Sequence, residues 1–358
     1  MSIYKDSSSI NRSLVVGLTI AGRNEYWSLA LATLMSLKKH LDIGISKILI
    51  ATEQVVDFEN FKQLEKEFDC EIIRIIPRGF YKELVPQLKG NYATYWKFDL
   101  FWALSANEIL MYIDVDAFAV NRFNISKIIN LFESNKFHLA AVPSLRPVLE
   151  RVSAIQLNNP FDYFNAGVLF GIKDKRYSEE SIKNAYYEIM KFDSLNLMWH
   201  DQDIFNYLFR SDYFKLPYIY NLSSGYLHKN FRAPFLLNGV TSYDIKENTV
   251  ILHMSGDYLF SQRFHPAQMH LFGLLESCKR LLRKLNDKNI QSTRDLHEGL
   301  KMLELNINKS KLDYILQCFH IRSRSFETNL YFYDLSVRKI KFKQFIKNIT
   351  KAIRSFFK

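Results

Sequence analysis

Short apolar runs alternate with helix-length amphipathic stretches along the first third of the chain. Residues 14–20 form an apolar run of strand length with one glycine inside it. In 27–41 the apolar side chains Leu29, Leu31, Leu34, Met35 and Leu37 recur at helical spacing. That stretch ends in Lys38, Lys39 and His40, cations that suit the negative end of a helix. Residues 47–52 and 71–76 read as further strands, and 58–68 between them as a charged amphipathic helix. Residues 92–104 look helical, and 108–114 is an apolar strand that ends in carboxylates. This rhythm predicts right-handed βαβ units in a mixed, mostly parallel α/β sheet of Rossmann-like type flanked by helices. Ligands of such sheets sit beyond the carboxyl ends of the strands, so chemistry at a strand's end carries extra weight.

Composition changes this picture mainly at the far end of the chain. At 358 residues, with 48% hydrophobic and 15% aromatic side chains, the chain is ordered and large enough for a substantial core. No apolar run reaches the roughly 18 residues of a membrane span, and 14–21 lacks a signal-peptide cleavage pattern. Cys70, Cys278 and Cys318 lie far apart with no metal or disulfide spacing, which predicts a reduced, cytoplasmic compartment. The formal charge of +11 belongs wholly to the last quarter, because residues 1–264 balance to zero. Strand patterns stop at about the same point. We therefore expect a domain over 12–268 and a basic helical region over 269–358. Within the latter, 336–358 has eight Lys and Arg and no acid, with Ile340, Phe342, Phe345, Ile346, Ile349 and Ile353 at helical steps. Such an amphipathic helix suits an anionic membrane surface, at about 1 kcal/mol per basic residue. The neutral body argues against nucleic acid as a partner.

Four short motifs carry the candidate chemistry. Asp114 and Asp116, two apart, would point to one side of an extended chain and present hard oxygen ligands to Mg²⁺ or Mn²⁺. His253 ends the apolar run 250–252, and imidazole favours Mn²⁺ over Mg²⁺. Asn165, Ala166 and Gly167 lead into another apolar run, where backbone and amide can approach a ligand closely. His200, Asp201, Gln202 and Asp203 precede a helical stretch and supply acceptors for sugar hydroxyls. Each also has an ordinary structural explanation: solvated strand-end acids, a hydrogen-bonded histidine, a turn, an acidic helix N-terminus.

Together and in order, the four resemble the family 8 glycosyltransferases, the glycogenin and lipopolysaccharide-galactosyltransferase group of GT-A-fold enzymes. The resemblance runs from Leu18-Thr19-Ile20 and Tyr26, through the Asp-x-Asp, Asn-Ala-Gly-Val and Asp-Gln-Asp motifs, to His253-x-x-Gly256. It covers about residues 14–265. It implies that Asp114, Asp116 and His253 hold Mn²⁺, with Mg²⁺ as the alternative, against the diphosphate of a UDP-sugar. Tyr26 would stack on uracil and Ile20 line its pocket. Asn165, Ala166 and Asp201 would contact the donor sugar, Gly256 would lie beside the donor, and Lys97 would reach the diphosphate or sugar.

The resemblance also implies retention of anomeric configuration, with Gln202 near the face of the anomeric carbon opposite the leaving group. An amide there favours same-face attack through an oxocarbenium-like state, the leaving phosphate taking the acceptor proton. The donor would be UDP-galactose or UDP-glucose. The acceptor would be a lipid-linked or cell-surface saccharide of lipopolysaccharide, lipooligosaccharide or capsule type, met on the inner face of the cytoplasmic membrane. One departure favours a different expectation. The family's Lys-Pro-Trp after the late His-x-x-Gly is replaced by Leu259-Phe260-Ser261, which would suit a degenerate GT-A protein that binds nucleotide sugar or carbohydrate. A metal-dependent nucleotidyltransferase would share the Asp-x-Asp but leaves the Asn165 and Gln202 motifs unexplained.

Overall fold

The computed structural model describes residues 12–22, 24–84, 91–133, 137–144, 149–159, 162–192, 201–210, 212–223 and 250–253. The chain opens with β1 (Ser13–Thr19), α1 (Asn24–His40), β2 (Lys47–Ala51), α2 (Val55–Lys62), α3 (Glu65–Phe68) and β3 (Glu71–Ile75). It continues through α4 (Phe80–Leu84), α5 (Lys97–Trp102), β4 (Glu108–Ile113), β5 (Ala117–Ala119), α6 (Ser126–Glu133) and β6 (Leu139–Pro143). Then come α7 (Leu149–Ala154), β7 (Phe164–Gly171), α8 (Glu179–Met190), α9 (Asp201–Leu208), β8 (Tyr213–Lys215), β9 (Leu222–Ser223) and β10 (Ile251–His253).

Seven strands form one sheet in the order β3-β2-β1-β4-β7-β6-β8. The pairings β3·β2, β2·β1, β1·β4 and β6·β8 are parallel, while β7 runs antiparallel to both β4 and β6. The expected mixed, mostly parallel sheet is thus present. Side-chain alternation builds a core on each face. Ile109, Met111 and Ile113 of β4 join Leu14, Val16 and Leu18 under α1, α2 and α6. Leu110 and Tyr112 join Val15 under α5, α8 and α9. On this second face Gly17 leaves room for Leu110, whose Cδ1 would lie 2.8 Å from a β-carbon placed there.

Three local expectations change. The helix expected over 58–68 is two helices, α2 and α3. Leu64 N–H bonds to Phe61 C=O and Glu67 N–H to Leu64 C=O, a tightening to i→i+3 bonds that keeps Phe61 and Leu64 both fully buried. The segment 92–104 begins as a 3₁₀ turn, Asn91–Trp96, before α5. The strand expected to run through Asp114 stops at Ile113, and Asp114 lies in a turn closed by Ala117 N–H on Asp114 C=O at 3.0 Å. The carboxylates at 114 and 116 therefore do not share one side of an extended chain.

That turn has a purpose in the second, smaller sheet, β5-β10-β9. β10 pairs antiparallel with β5, setting His253 opposite Ala117, and parallel with β9, setting His253 opposite Ser223. The register carries a residue from late in the chain to the carboxyl end of β4. The expected domain limit near 268, Gly256, the segment around Leu259 and the basic tail 336–358 lie outside the described residues. No helix among the described residues is long and apolar enough to cross a membrane.

Candidate functional site

Asp114, Asp116 and His253 converge, each offering one ligand atom within 4.8 Å of the others. His253 Nε2 lies 3.6 Å from Asp114 Oδ2 and 3.3 Å from Asp116 Oδ1. An octahedral ion with ligands at about 2.1 Å sets neighbouring ligand atoms about 3 Å apart, so the spacing fits a small divalent cation. Gly167 of β7 leaves the room: a β-carbon there would be 2.1 Å from His253 Cε1 and 2.8 Å from Asp114 Oδ2. Asp114 is further held by the phenol of Tyr112, which donates to Oδ1 and lies 3.2 Å from Thr19 Oγ1. Burial and the neighbouring Asp114 push the Tyr112 hydroxyl well above its ordinary range, so it stays a donor.

The charges around the site pair off unevenly. Lys97 is 3% exposed, and its ammonium lies 2.6 Å from Asp201 Oδ2 and 3.8 Å from Asp114 Oδ1. It donates to Ala166 C=O at 3.1 Å and sits 4.7 Å over the Tyr112 ring. Burial pulls its pKa down, but Asp201 and Asp114 outweigh this and raise it, so the charge persists. Asp203, 1% exposed, is bonded by Arg151 and by Tyr163 OH at 2.8 Å. Arg151 and Lys97 thus answer Asp203 and Asp201, while Asp114 and Asp116 both face the His253 imidazole. Burial would lower the His253 pKa, yet Asp116 and Asp114 raise it, the response of a site that calls for a cation. The residues fit a divalent metal by spacing, donor type and charge.

Beyond the metal-ligand group, α9 is fastened to β7 by side-chain amides. β7 extends past its pairing with β4, which covers Val168 to Gly171. Asn206 bonds both backbone groups of Phe164, at 2.7 and 2.8 Å. Gln202 Oε1 accepts from Ala166 N–H at 3.1 Å, and its Nε2 donates to Tyr163 OH at 2.9 Å. These contacts satisfy strand groups that would otherwise be buried unpaired.

The sequence-expected residues fall into three groups. Asp114, Asp116, His253, Lys97, Asn165, Ala166, Asp201 and Gln202 come together around the ends of β4 and β7. Within that group Lys97 is buried and committed to protein partners, and Ala166 has both backbone groups bonded. Gln202 has both ends of its amide engaged. Asn165 Oδ1 accepts from Gly167 N–H, leaving Nδ2 without a partner among the described residues. Ile20 is fully buried in the core at the end of β1, and Tyr26 is half-buried against the same cluster on α1. Gly256 and His200 lie outside the described residues.

Sequence reading missed Tyr112, Tyr163, Arg151, Asn206 and Asn221. Tyr112 alone carried a signal, its spacing of two from Asp114; Arg151 and Asn221 stand in no motif.

A family model described as glycosyl transferase family 8 matches residues 17–258. No curated protein sequence matches the chain. Among solved structures, an active-site mutant of LgtC aligns with 74% of this chain and 95% of its own, at 16% identity and a TM-score of 0.54. The galactosyltransferase LgtC in complex with donor and acceptor sugar analogues aligns with 80% of this chain and 99% of its own, at 16% identity and a TM-score of 0.51. GlyE of Streptococcus pneumoniae TIGR4 aligns at 20% identity and a TM-score of 0.49. This chain covers 62% of GlyE and 52% of the bifunctional WbbM. The LgtC likeness establishes the shared fold.

Proposed function

The chain belongs to glycosyl transferase family 8, and we propose that it transfers a hexose from a UDP-sugar, UDP-galactose or UDP-glucose, to a saccharide acceptor with retention of configuration. The observation that carries this reading is the convergence of Asp114, Asp116 and His253 at the carboxyl end of β4. Mn²⁺ is the favoured ion, because a nitrogen ligand joins two carboxylates. When bound, it would neutralise the diphosphate and make UDP a better leaving group.

The chain's own residues prepare the rest. Tyr112 and Lys97 hold Asp114 in place, and Lys97 fixes Asp201 at the start of α9. Asp201 and the Asn165 amide NH₂ are the groups we assign to the donor sugar. With the Gln202 oxygen turned to Ala166 N–H and its NH₂ to Tyr163, the side chain props β7 against α9 rather than offering a nucleophile. That supports same-face attack, in which the leaving phosphate oxygen takes the acceptor proton. LgtC was crystallised with both donor and acceptor sugar analogues, which supports two sugar sites here. We place the acceptor on a lipid carrier or cell-surface glycan and the protein on the inner face of the cytoplasmic membrane, on the strength of the acid-free basic tail at 336–358.

The test is a screen of UDP-sugars for Mn²⁺-dependent UDP release, with linkage analysis of the product. Release should need Mn²⁺ and collapse in Asp116→Ala; full turnover in that variant refutes the metal assignment. A second reading, a nucleotide-sugar-binding module without turnover, is favoured by Leu259 where the family has lysine. UDP binding without release or transfer from any donor would decide for it.

A further inference from the structure

Resting on that reading of the metal site, the structure assigns a positioning role to Asn221, a residue outside every motif. The backbone N–H of Gly167 can only donate, and it meets the Asn165 side chain at 2.8 Å, so the atom there is the carbonyl oxygen Oδ1. The Asn221 amide meets the same oxygen at 2.8 Å and must present its NH₂. The Asn221 carbonyl oxygen then faces the other way, 3.0 Å from His253 Nδ1. An amide oxygen only accepts, so Nδ1 carries the hydrogen in the neutral ring. Nε2 is left with its lone pair, directed at Asp114 and Asp116.

We propose that Asn221, through Asn165 and the Gly167 N–H, locks neutral His253 in the Nδ1–H tautomer, with Nε2 ready for the cation. In water a neutral imidazole prefers the opposite tautomer, so the ring needs a fixed acceptor at Nδ1. Asn221 and His253 are each 4% exposed, which leaves water little access to replace it. The geometry that supplies Asn221 is the β9·β10 register, which pairs Leu222 with Leu252 and Ser223 with His253. The same relay ties Asn165, the residue assigned to the donor sugar, to the metal ligand.

Two measurements test this. The first is ¹⁵N NMR of histidine-labelled, metal-free protein at a pH that deprotonates the ring, with His253→Ala to assign the signal. The expected result is a protonated Nδ1 and a bare Nε2; the reverse overturns the proposal. The second is Mn²⁺ binding followed by electron paramagnetic resonance, without any sugar donor. Asn221→Leu should bind about 10- to 100-fold more weakly, the usual effect of losing a partner behind a ligand, in protein whose circular dichroism matches the wild type. Asn221→Asp, whose carboxylate still accepts from Nδ1–H, should bind within a few-fold of wild type. Equal affinity in Asn221→Leu and wild type overturns the relay. Should the wild type bind no Mn²⁺, the metal reading fails by itself while the tautomer measurement still decides the relay. That measurement also decides it if Asn221→Leu does not fold.

Discussion

Gly167 sits so close against the ring of His253 that a β-carbon on it would lie 2.1 Å from Cε1 and 2.6 Å from Nδ1. No rearrangement of a flexible side-chain end relieves this, because the ring is itself pinned by Asn221 and by its strand. We expect Gly167→Ala to push the imidazole out of line with Asp114 and Asp116. Mn²⁺ affinity should fall by about 10- to 100-fold, and overpacking should cost about 1–3 kcal/mol of stability. Gly17→Ala is the control. Its β-carbon would meet Leu110 Cδ1 at 2.8 Å inside the core and touch none of the ligands, so stability should fall more than Mn²⁺ affinity does. Titration with Mn²⁺ and urea unfolding of both variants check the pair of outcomes.

Among the described residues, Lys97 is the cation that touches Asp201 and stands beside Asp114 in the buried layer between α5 and β7. Replacing it by methionine keeps the bulk and strands a buried carboxylate. The expected loss in urea unfolding is about 3 kcal/mol, the scale for breaking one side of a buried ion pair. Adding Asp201→Asn removes the stranded charge and should recover most of that loss, to about 1 kcal/mol. Activity should not return with it, because Asp114 has lost its neighbour and the donor-facing carboxylate is gone. Additive losses in the double variant would show that the pair is not coupled.

How far the site was readable depends on what each residue's signal was. Asp114, Asp116 and His253 stand at the ends of apolar runs, and a strand end is where a sheet of this type places its chemistry. The βαβ rhythm of the first third was equally plain, since β1, β2 and β4 are apolar runs buried on both faces. Two things were hidden. The turn at Asp114 leaves no mark in the letters, because its cause is the pairing of β5 with β10, more than 130 residues away along the chain. Arg151, Tyr163 and Asn221 act through contacts whose partners are distant in sequence, and an isolated polar residue carries no period to betray its side. Lys97 and Gln202 were legible through motif order, but their hydrogen bonds to Ala166 of β7 were not, because those partners lie 36 to 69 residues away along the chain.

Acid should loosen the lead-in to α8, where Asp174 is held ionised by its hydrogen bonds. Asp174 accepts from Arg176 through N–H, Nε and Nη2 at 2.8, 3.0 and 2.8 Å, and from His138. Burial alone would raise its pKa, but these hydrogen bonds outweigh burial and hold it at about 2. The folded value lies below the unfolded one of about 3.9, so the carboxylate stabilises the fold fully above about pH 4. That contribution, about 2 kcal/mol, is lost as pH falls from about 4 toward 2. Urea unfolding of wild type and Asp174→Asn should differ by about this amount at neutral pH and converge toward about pH 2. A gap that stays constant with pH would mean that the charge of Asp174 contributes nothing.

Gln202 offers the sharpest test of whether α9 supplies a strut or a reactive group. Its amide oxygen accepts from Ala166 N–H while its NH₂ donates to Tyr163 OH, and Tyr163 in turn donates to Asp203. In Gln202→Glu the carboxyl can copy both bonds only when protonated, with its carbonyl toward Ala166 and its O–H toward Tyr163. Ionised, it would compete with Asp203 for the single phenol hydrogen and add a charge beside Asp201 and Asp203. Burial and those neighbours should raise the new carboxyl's pKa above the ordinary range. The variant's activity relative to wild type should therefore be highest at low pH and fall as pH rises through that pKa, with melting temperature following the same course. A strut predicts this joint decline. A residue acting as nucleophile predicts the opposite sign for activity, because the ionised carboxylate would be the better nucleophile, with stability and rate then moving apart as pH rises.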